Sequence, residues 1–333
     1  MNNLLNNENE GLNESFLKGR EVSVISEKKQ VVIARDMRET VNHVCGKTID
    51  REHRNHLGAS SIGDECVRYL WYKFRWMEKE VFVNYKTGED VSGRMLRLFN
   101  RGHREEPVLL AHLRNAGAKI WEYDPSLPLK DGKPQQFRCT GVNGHFGGSL
   151  DGIILWPQFH EDYMLLEMKT YNCKRFMELQ KCGVATSDPK YMAQMVVYGD
   201  AYSLHYAVFI AICKDDDEIH IEVVRLKDAT VHLTGNDGTL EALTIVELRA
   251  RAEYIINSPT APDRIKYASP TFYKCKTCTM KPVCFGTEPA DKNCRSCKFL
   301  QPIANKQWFC HKHQTTVPEE TIKQEWPCHE EIK

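Results

Sequence analysis

Two carboxylates and one lysine have the spacing expected of a metal-dependent hydrolytic site. Asp151 follows a glycine-rich run, and Glu167 and Lys169 lie two residues apart in an apolar segment. Residues two apart in a β-strand point to the same face, so Glu167 and Lys169 would project together. A hairpin formed by residues 147–156 and 163–170 can bring Asp151 beside them. Carboxylate oxygens suit Mg²⁺ or Mn²⁺, and such an ion lowers the pKa of a bound water and stabilises charge on a phosphoryl group.

This triplet predicts phosphate chemistry, with Lys169 placed to neutralise a scissile phosphate and orient the attacking water. The alternative is structural, because short acidic motifs often occur by chance. In that case Asp151 lies at a glycine-rich turn, and Glu167 and Lys169 form an exposed ion pair on a sheet edge.

Two flanking segments add candidate residues. Upstream, His103 and Glu106 lie on a predicted helix, and either could supply a further metal contact. Downstream, Tyr191, Gln194 and Tyr198 are spaced i, i+3 and i+7, which puts them on one face of a helix that can pack beside the hairpin.

In chain order, these motifs resemble those of the PD-(D/E)XK nucleases, in the RecB-like branch that includes lambda-type phage exonucleases. The resemblance covers residues from about 57 to 225, and four linked motifs are more specific than any one. It implies a restriction-endonuclease-like core, which is an α/β fold with a mixed central sheet flanked by helices. The motifs are Gly102-x3-Glu106, Gly148-Ser149-x-Asp151, Glu167-x-Lys169 and Gln194-x3-Tyr198.

The resemblance also implies roles for these residues. Asp151 and Glu167 would hold Mg²⁺ or Mn²⁺, and Lys169 would be the catalytic lysine. Gln194 and Tyr198 would support the site and contact DNA.

The helical motif has two candidates for its functional residue. Its distance from the glycine favours Glu106 as the acidic residue of the site. His103 is a second candidate metal ligand, because RecB and CRISPR-adaptation relatives bind the metal through a histidine in this motif.

The 13 cysteines favour metal ligation over a disulfide framework in a reducing compartment. The first cysteine set is Cys275-x2-Cys278-x5-Cys284, to which Cys66 adds a fourth ligand from across the fold. Four thiolates bind either a [4Fe–4S] cluster or zinc, and ligand type alone does not distinguish them. The arrangement resembles the iron–sulfur staple of AddB-type and CRISPR-adaptation nucleases, which implies a structural cluster. The alternative for Cys66 is a buried core cysteine.

The second cysteine set is Cys294-x2-Cys297 followed by Cys310-x2-His313, with Cys328 as an alternative fourth ligand. Paired ligands at this spacing are typical of zinc. A structural zinc knuckle is the simpler interpretation, and a DNA-contacting role is the alternative. The other cysteines lack ligand spacing and are interpreted as packing residues; they are Cys45, Cys139, Cys173, Cys182 and Cys213.

The charge balance gives no global argument for a polyanionic partner, because 45 Lys and Arg match 45 Asp and Glu. DNA binding must therefore depend on local patches. Four arginines recur at spacings of three and four on the helix that leads to Glu106, and they favour a groove that follows phosphates. The alternative is a solvated helix face. These residues are Arg94, Arg97, Arg101 and Arg104.

Composition and patterning divide the chain into four parts. No run of apolar residues approaches the roughly 20 that span a bilayer, and no secretory signal is recognisable, so we expect a cytoplasmic protein of a bacterium or a phage-infected cell. The residues 240–257 are predicted to form one long amphipathic helix. The four parts are a polar, partly disordered segment at 1–50, the nuclease core at 51–260, a cysteine segment packing on it at 261–290 and a zinc-knuckle-like tail at 291–333.

The sequence therefore predicts a metal-dependent DNA nuclease, with an exonuclease that processes DNA ends as the leading hypothesis. Expected partners are DNA and a single-strand annealing or recombination protein. One alternative is a CRISPR-adaptation-type nuclease that trims ends, and the tail beyond that family's usual pattern argues against it. The other alternative is a non-catalytic DNA- or protein-binding module with a degenerate core, against which the complete Asp, Glu and Lys set argues.

Overall fold

The computed structural model describes residues 25–48, 53–78 and 90–332. Residues 1–24, in the segment predicted to be polar and partly disordered, lie outside the described residues. The helices are α1 (Glu27–Lys47), α2 (Val67–Phe74), α3 (Ser92–Asn115), α4 (Cys173–Cys182), α5 (Val184–Ser187), α6 (Pro189–Ala201), α7 (Ile245–Asn257), α8 (Tyr273–Lys276), α9 (Lys281–Cys284) and α10 (Glu319–Ile322). The strands are β1 (Leu57–Gly58), β2 (Lys119–Trp121), β3 (Arg138–Gly141), β4 (Phe146–Ser149), β5 (Gly152–Leu155), β6 (Met164–Tyr171), β7 (Tyr206–Cys213), β8 (Ile219–Arg225), β9 (Val231–Thr234), β10 (Leu240–Leu243), β11 (Leu300–Pro302), β12 (Trp308–Cys310) and β13 (Thr315–Val317).

A five-stranded mixed sheet in the order β2-β5-β6-β7-β8 forms the centre of the fold. Strands β6 and β7 are parallel, and the other neighbouring pairs are antiparallel. The predicted α/β class with a mixed sheet between helices is thereby confirmed. The predicted hairpin that carries Glu167 and Lys169 is also present. In it β5 pairs with β6, from Gly152 opposite Leu166 to Ile154 opposite Met164.

Helices cover both faces of this sheet, and strand alternation decides which residues meet them. On one face, Leu166 and Met168 of β6 join a buried cluster with Leu110 and Leu113 of α3. On the other face, Leu165 and neighbouring strand residues pack with α6 in the main core. Glu167 and Lys169 share the parity of Leu165 and therefore lie on the α6 side.

Two elements differ from the sequence prediction. The segment 147–156 is not one strand, because β4 joins a separate three-stranded sheet, β1-β4-β3, and the chain turns at Asp151 before β5 begins. The segment 240–257 is not one helix. Its first residues form β10, which pairs with β9, and α7 begins after Thr244, whose side chain forms a capping box with Glu247. Tertiary pairing with β9 overrides the helical pattern there.

The cysteine-rich tail shares the main core with α2. Leu300 and Trp308 are buried together with Phe74. Arg75 donates a hydrogen bond to the Leu300 carbonyl at 2.7 Å, and Asn293 donates one to the Trp76 carbonyl at 2.8 Å. The tail therefore does not depend on its own small apolar content alone.

Helix α1 lies within the segment predicted to be polar and partly disordered, and it packs on α3. The two helices approach closely at Gly93, where an added Cβ would lie 2.1 Å from the Asn42 carbonyl oxygen. Arg97 of α3 also donates a hydrogen bond to the Asn42 side chain at 2.7 Å. Within the described ranges, no helix is long and apolar enough to cross a membrane.

Candidate active site and cysteine centres

Asp151 occupies the turn between two sheets, and the backbone of β6 holds its carboxylate. The Met168 amide donates a hydrogen bond to Oδ2 of Asp151 at 2.8 Å. The side chain of Asp151 remains 23% exposed, so one side of the carboxylate is open to solvent. The β5–β6 hairpin thus presents Asp151 at the same edge of the sheet as the middle of β6.

Glu167 is fully buried in the centre of the sheet, yet two donors hold it. Gln194 of α6 donates from Nε2 to Oε1 of Glu167 at 2.8 Å, and Lys169 donates to the same oxygen. The Lys169 ammonium also lies 3.7 Å from Oδ2 of Asp151 and 5.2 Å from the centre of the Tyr191 ring. Lys169 therefore connects the two carboxylates on the α6 side of β6.

Burial and charge act against each other at this triplet. Burial, together with the Asp151 carboxylate, raises the pKa of Glu167 to about 7 against the opposing effects of Lys169 and Gln194. Burial lowers the pKa of Lys169, but the carboxylates of Glu167 and Asp151 outweigh burial and raise it above its usual value. The lysine is therefore held as a cation, and the buried Glu167 lacks enough positive charge around it to ionise as readily as an exposed carboxyl.

The unpartnered oxygen atoms in this site fit a bound cation. Oε2 of Glu167 and Oε1 of Gln194 are buried, and neither has a hydrogen-bond partner within the described part of the chain. A buried acceptor without a partner is costly, and a hard cation coordinated by carboxylate oxygen would remove that cost. The donor set of Asp151 and Glu167 consists of the oxygen ligands that Mg²⁺ and Mn²⁺ prefer.

Between the two helical candidates, Glu106 is the one whose carboxyl is electrostatically coupled to Asp151 and Lys169. Burial raises the pKa of Glu106, and the Asp151 carboxylate raises it further while Lys169 opposes the shift. The electrostatic coupling joins Glu106 of α3 to Asp151, although the carboxylate oxygens of Glu106, Asp151 and Glu167 do not all lie within 4.8 Å of one another. His103, one turn earlier, is exposed.

Tyr198 supports the strand that leads into Asp151. Gly148 packs directly on the Tyr198 hydroxyl, since a Cβ at position 148 would lie 2.4 Å from that oxygen. Tyr198 is 2% exposed and Gln194 is 4% exposed. These positions fit the supporting role that the family resemblance implies. They leave little side-chain surface for the DNA contact that it also implies.

The arginine stripe of α3 is partly used in internal contacts. Arg97 holds α1, as described above, and Arg101 donates to the Lys214 carbonyl at 2.5 Å. Arg101 also lies 3.9 Å from the Glu105 carboxylate. Arg94 and Arg104 are exposed. The four arginines therefore do not form one uninterrupted phosphate-binding stripe.

The structure brings the four members of the first cysteine set together, although Cys66 is far from the others in sequence. Cys66 is the N-cap of α2 and lines a cavity of about 30 Å³ together with Cys275, Cys278 and Cys284. Burial raises the pKa of Cys66 to about 11 and that of Cys278 to about 12, and the neighbouring thiols add to both shifts. The negative charges of neighbouring thiolates repel one another, and a bound metal cation would offset that repulsion and lower the pKa of the thiols.

In the second cysteine set, Cys328 rather than His313 lies in the electrostatic neighbourhood of the other thiols. Burial raises the pKa of Cys294 to about 11, and Cys297, Cys328 and Cys310 contribute to the shift. All four cysteines line a cavity of about 290 Å³. His313 also lines this cavity, but it is exposed.

Both cysteine sets are wider than the ligand shell of one ion. Among the described residues, neither set contains three sulfur atoms that all lie within 4.8 Å of one another. A single tetrahedral zinc would require sulfur atoms about 3.8 Å apart, given Zn–S bonds of about 2.3 Å. A cluster spaces its thiolates more widely, because each binds a different iron.

One group of ligand-type side chains was missed by the sequence analysis, which interpreted its two cysteines as packing residues. Cys173, Cys213 and Asp216 converge at the end of β7 in the central sheet. Cys173 and Cys213 are 40 residues apart and have no motif spacing, so only strand pairing reveals their proximity.

A scan against protein-family models and a search of curated proteins find no match. Among solved structures, the chain is similar to the alkaline exonuclease LHK-Exo from Laribacter hongkongensis, with 16% identity, a TM-score of 0.37, and coverage of 65% of this chain and 90% of that one. The complex of LHK-Exo with dAMP matches at 16% identity and a TM-score of 0.34, covering 60% and 86%. The protein SSO0001 matches at 15% identity and a TM-score of 0.36, covering 74% and 96%.

Proposed function

We propose that this protein is a Mg²⁺- or Mn²⁺-dependent deoxyribonuclease, and that it acts as an exonuclease on DNA ends. The observation that carries the proposal is the buried Glu167 carboxylate, whose Oε2 lacks a partner beside Asp151 and Lys169. A structural ion pair on a sheet edge would be exposed, whereas Glu167 is fully buried. Burying an acidic group beside a second carboxylate is costly, and Lys169 supplies one positive charge for the two and leaves Oε2 of Glu167 without a partner among the described residues.

In this proposal Asp151 and Glu167 hold the metal, and Glu106 completes the acidic group. The ion supplies a water of lowered pKa and offsets charge on the phosphoryl group. Met168 fixes Asp151 through its amide, and Gln194 fixes Glu167. Lys169, held as a cation between both carboxylates, orients the water and neutralises a non-bridging phosphate oxygen. Hydrolysis forms one P–O bond from water and breaks the bond to the leaving oxygen, which takes up a proton.

The two cysteine sets have structural roles in this proposal. We assign a [4Fe–4S] cluster to Cys66, Cys275, Cys278 and Cys284. We assign zinc to the second cysteine set, where binding one ion would require the sulfur atoms to move closer together. The first set joins α2 to the segment after α7, so its metal fastens distant parts of the core. Visible absorption that dithionite bleaches, together with iron and sulfide in anaerobically purified protein, tests the cluster. Zinc in place of iron at this set would overturn that assignment.

End-labelled linear DNA and circular DNA, each incubated with Mg²⁺, Mn²⁺ or EDTA, test the nuclease proposal. We expect metal-dependent loss of the linear substrate and persistence of the circle. The variants Asp151→Asn and Lys169→Ala should abolish cleavage, whereas Glu178→Gln and Lys181→Ala, both on the exposed face of α4, should not. Wild-type cleavage by folded Asp151→Asn protein would refute the site. DNA binding without any cleavage would favour the non-catalytic binding module.

The expected protein partner and cellular location both follow from the proposed nuclease activity. A DNA-end exonuclease of this kind would work with a single-strand annealing or recombination protein in the cytoplasm. Pull-down of such a protein by purified, active enzyme in the presence of nuclease-resistant DNA would support that partnership.

A further inference from the structure

Three ligand-type side chains converge beyond the end of the strand that carries Glu167 and Lys169. Cys173 is the first residue of α4, Cys213 is the last residue of β7, and Asp216 lies in the turn that leads to β8. Both sulfur atoms and a carboxylate oxygen of Asp216 lie within 4.8 Å of one another. Within the described residues, this is the only group of at least three His, Cys, Asp or Glu side chains that meets this distance.

Backbone contacts hold the three side chains in this arrangement. Parallel pairing puts Tyr171 of β6 opposite Cys213 of β7, and the Lys214 amide donates to the Tyr171 carbonyl at 2.9 Å. The Cys173 amide donates to the side chain of Asp215 at 2.7 Å, which ties the start of α4 to the turn. The group therefore depends on two adjacent strand ends rather than on flexible side chains.

The ligand types and their spacing suit a thiophilic divalent ion. In tetrahedral zinc sites, bonds of about 2.0–2.3 Å place the ligand atoms roughly 3.3–3.8 Å apart, so closing this group requires shifts of only about 1 Å. Two thiolates select zinc over Mg²⁺ or Ca²⁺. Zinc binding would displace the proton of each cysteine thiol, because the thiolate is the form that binds the metal.

The surrounding charge and exposure also favour a cation that enters from solvent. The turn contains four consecutive acidic residues, from Asp215 to Glu218, and all are exposed. Cys213 is buried, Cys173 is half-buried and Asp216 is exposed, so the group opens outward on the Asp216 side. Three protein ligands leave a fourth position for water, as in zinc sites that exchange a ligand.

We propose that Cys173, Cys213 and Asp216 form a zinc site that is separate from both cysteine sets and fastens the start of α4 to the β7–β8 turn. Its place in the fold gives it a structural consequence. Strand β6 ends two residues before Cys173, and Arg101 of α3 donates to the Lys214 carbonyl in the same turn. The site therefore stiffens the point where the strand of Glu167 and the helix of Glu106 meet the turn.

The zinc content of the full-length protein tests this proposal without any activity assay. Protein purified under reducing, oxygen-free conditions is saturated with Zn²⁺, dialysed and measured by mass spectrometry of the metal. We expect Cys173→Ser and Asp216→Asn each to contain one zinc per chain fewer than the wild type. The control Cys182→Ser, an exposed thiol at the other end of α4, should retain the wild-type content. Equal zinc in all four proteins would overturn the proposal.

The rate of alkylation of Cys173 gives a second measurement. It would not depend on Zn²⁺ if the three side chains only packed together without binding the ion. Zn²⁺ should slow its modification by iodoacetamide roughly tenfold or more in the wild type, because a bound thiolate is no longer a free nucleophile. Asp216→Asn should lose most of this protection. Because the side chain of Asp216 is exposed, this substitution should leave the fold intact. A Cys173–Cys213 disulfide in the zinc-treated, reduced protein, or protection that persists in Asp216→Asn, would refute the three-ligand site.

Discussion

Gln194 donates a hydrogen bond from Nε2 to Oε1 of the buried Glu167 at 2.8 Å, across the interface between α6 and β6. This contact joins two motifs that are 27 residues apart and determines how the carboxylate is turned. It uses one oxygen of Glu167 and leaves Oε2 unpartnered. The helix therefore orients the group that, in our proposal, binds the metal.

Replacing Gln194 should weaken metal binding more than it weakens folding. Gln194→Leu keeps the volume but removes the donor to Glu167, and loss of such an orienting partner typically costs about 10–100-fold in metal affinity or activity. We expect cleavage of linear DNA to fall by that range, with half-saturation at a higher Mg²⁺ concentration. Cleavage rates measured across a Mg²⁺ series check this. The exposed Gln180→Leu is the control, and an unchanged Mg²⁺ dependence in Gln194→Leu would contradict the positioning role.

Gly148 and Tyr198 should be energetically coupled. Gly148→Ala places a Cβ 2.4 Å from the Tyr198 hydroxyl, and overpacking of this kind costs about 1–3 kcal/mol. In Gly148→Ala/Tyr198→Phe the oxygen is gone and the nearest ring carbon lies 3.2 Å away, so the double variant should lose less than the sum of the single variants. Urea unfolding of the metal-loaded protein measures the four free energies of unfolding.

The control for this cycle is Gly102→Ala. A Cβ at Gly102 meets nothing within 4 Å and lies inside α3, so alanine should stabilise the helix by about 1 kcal/mol. Strictly additive losses for the Gly148 and Tyr198 pair would show that the two residues do not press on each other.

His56 should make the protein less stable in mild acid. Burial, together with the positive charges of Lys306, Arg54 and Arg138, lowers the pKa of His56 from its ordinary value of 6.5 to about 4. The unfolded chain therefore binds the proton more readily, so the contribution to stability is full above pH 6.5 and is lost as the pH falls towards 4. His56→Gln should reduce the decrease in urea midpoint between pH 7.5 and 5.5.

The matched control for that experiment is His232→Gln, which removes an exposed imidazole from β9. Its pH dependence should follow the wild type. If His56→Gln and the wild type lose the same stability over this range, the imidazole of His56 is not the group responsible.

The second cysteine set should bind its metal through Cys328 and not through His313. Cys328→Ser removes a thiol that lies close to Cys294, so it should lose one metal per chain and expose the tail to proteolysis. His313→Ala removes an exposed imidazole and should retain the metal. Elemental analysis and limited proteolysis of both variants measure this, and metal loss only in His313→Ala would reverse the assignment.

Local periodicity was sufficient to predict several elements of the fold. Alternation along β6 assigned Glu167 and Lys169 to one face, and the spacing of Tyr191, Gln194 and Tyr198 predicted a helix where the structure has α6. These features depend on residues that are neighbours in sequence, where side-chain direction follows from the backbone repeat. The strand β10 was missed for the complementary reason, because its pairing with β9 is a contact that periodicity does not encode.

By itself, the sequence determined the chemical inventory: a carboxylate pair with a lysine, a supporting glutamine and tyrosine, and cysteines spaced for metals. Only the tertiary structure decided how that inventory is combined. Burial of Glu167, the electrostatic coupling of Glu106 to Asp151, the position of Cys328 beside Cys294, and the convergence of Cys173 with Cys213 all arise from segments distant in the chain. Such contacts result from packing around a shared core, which residue types and local spacing alone do not specify.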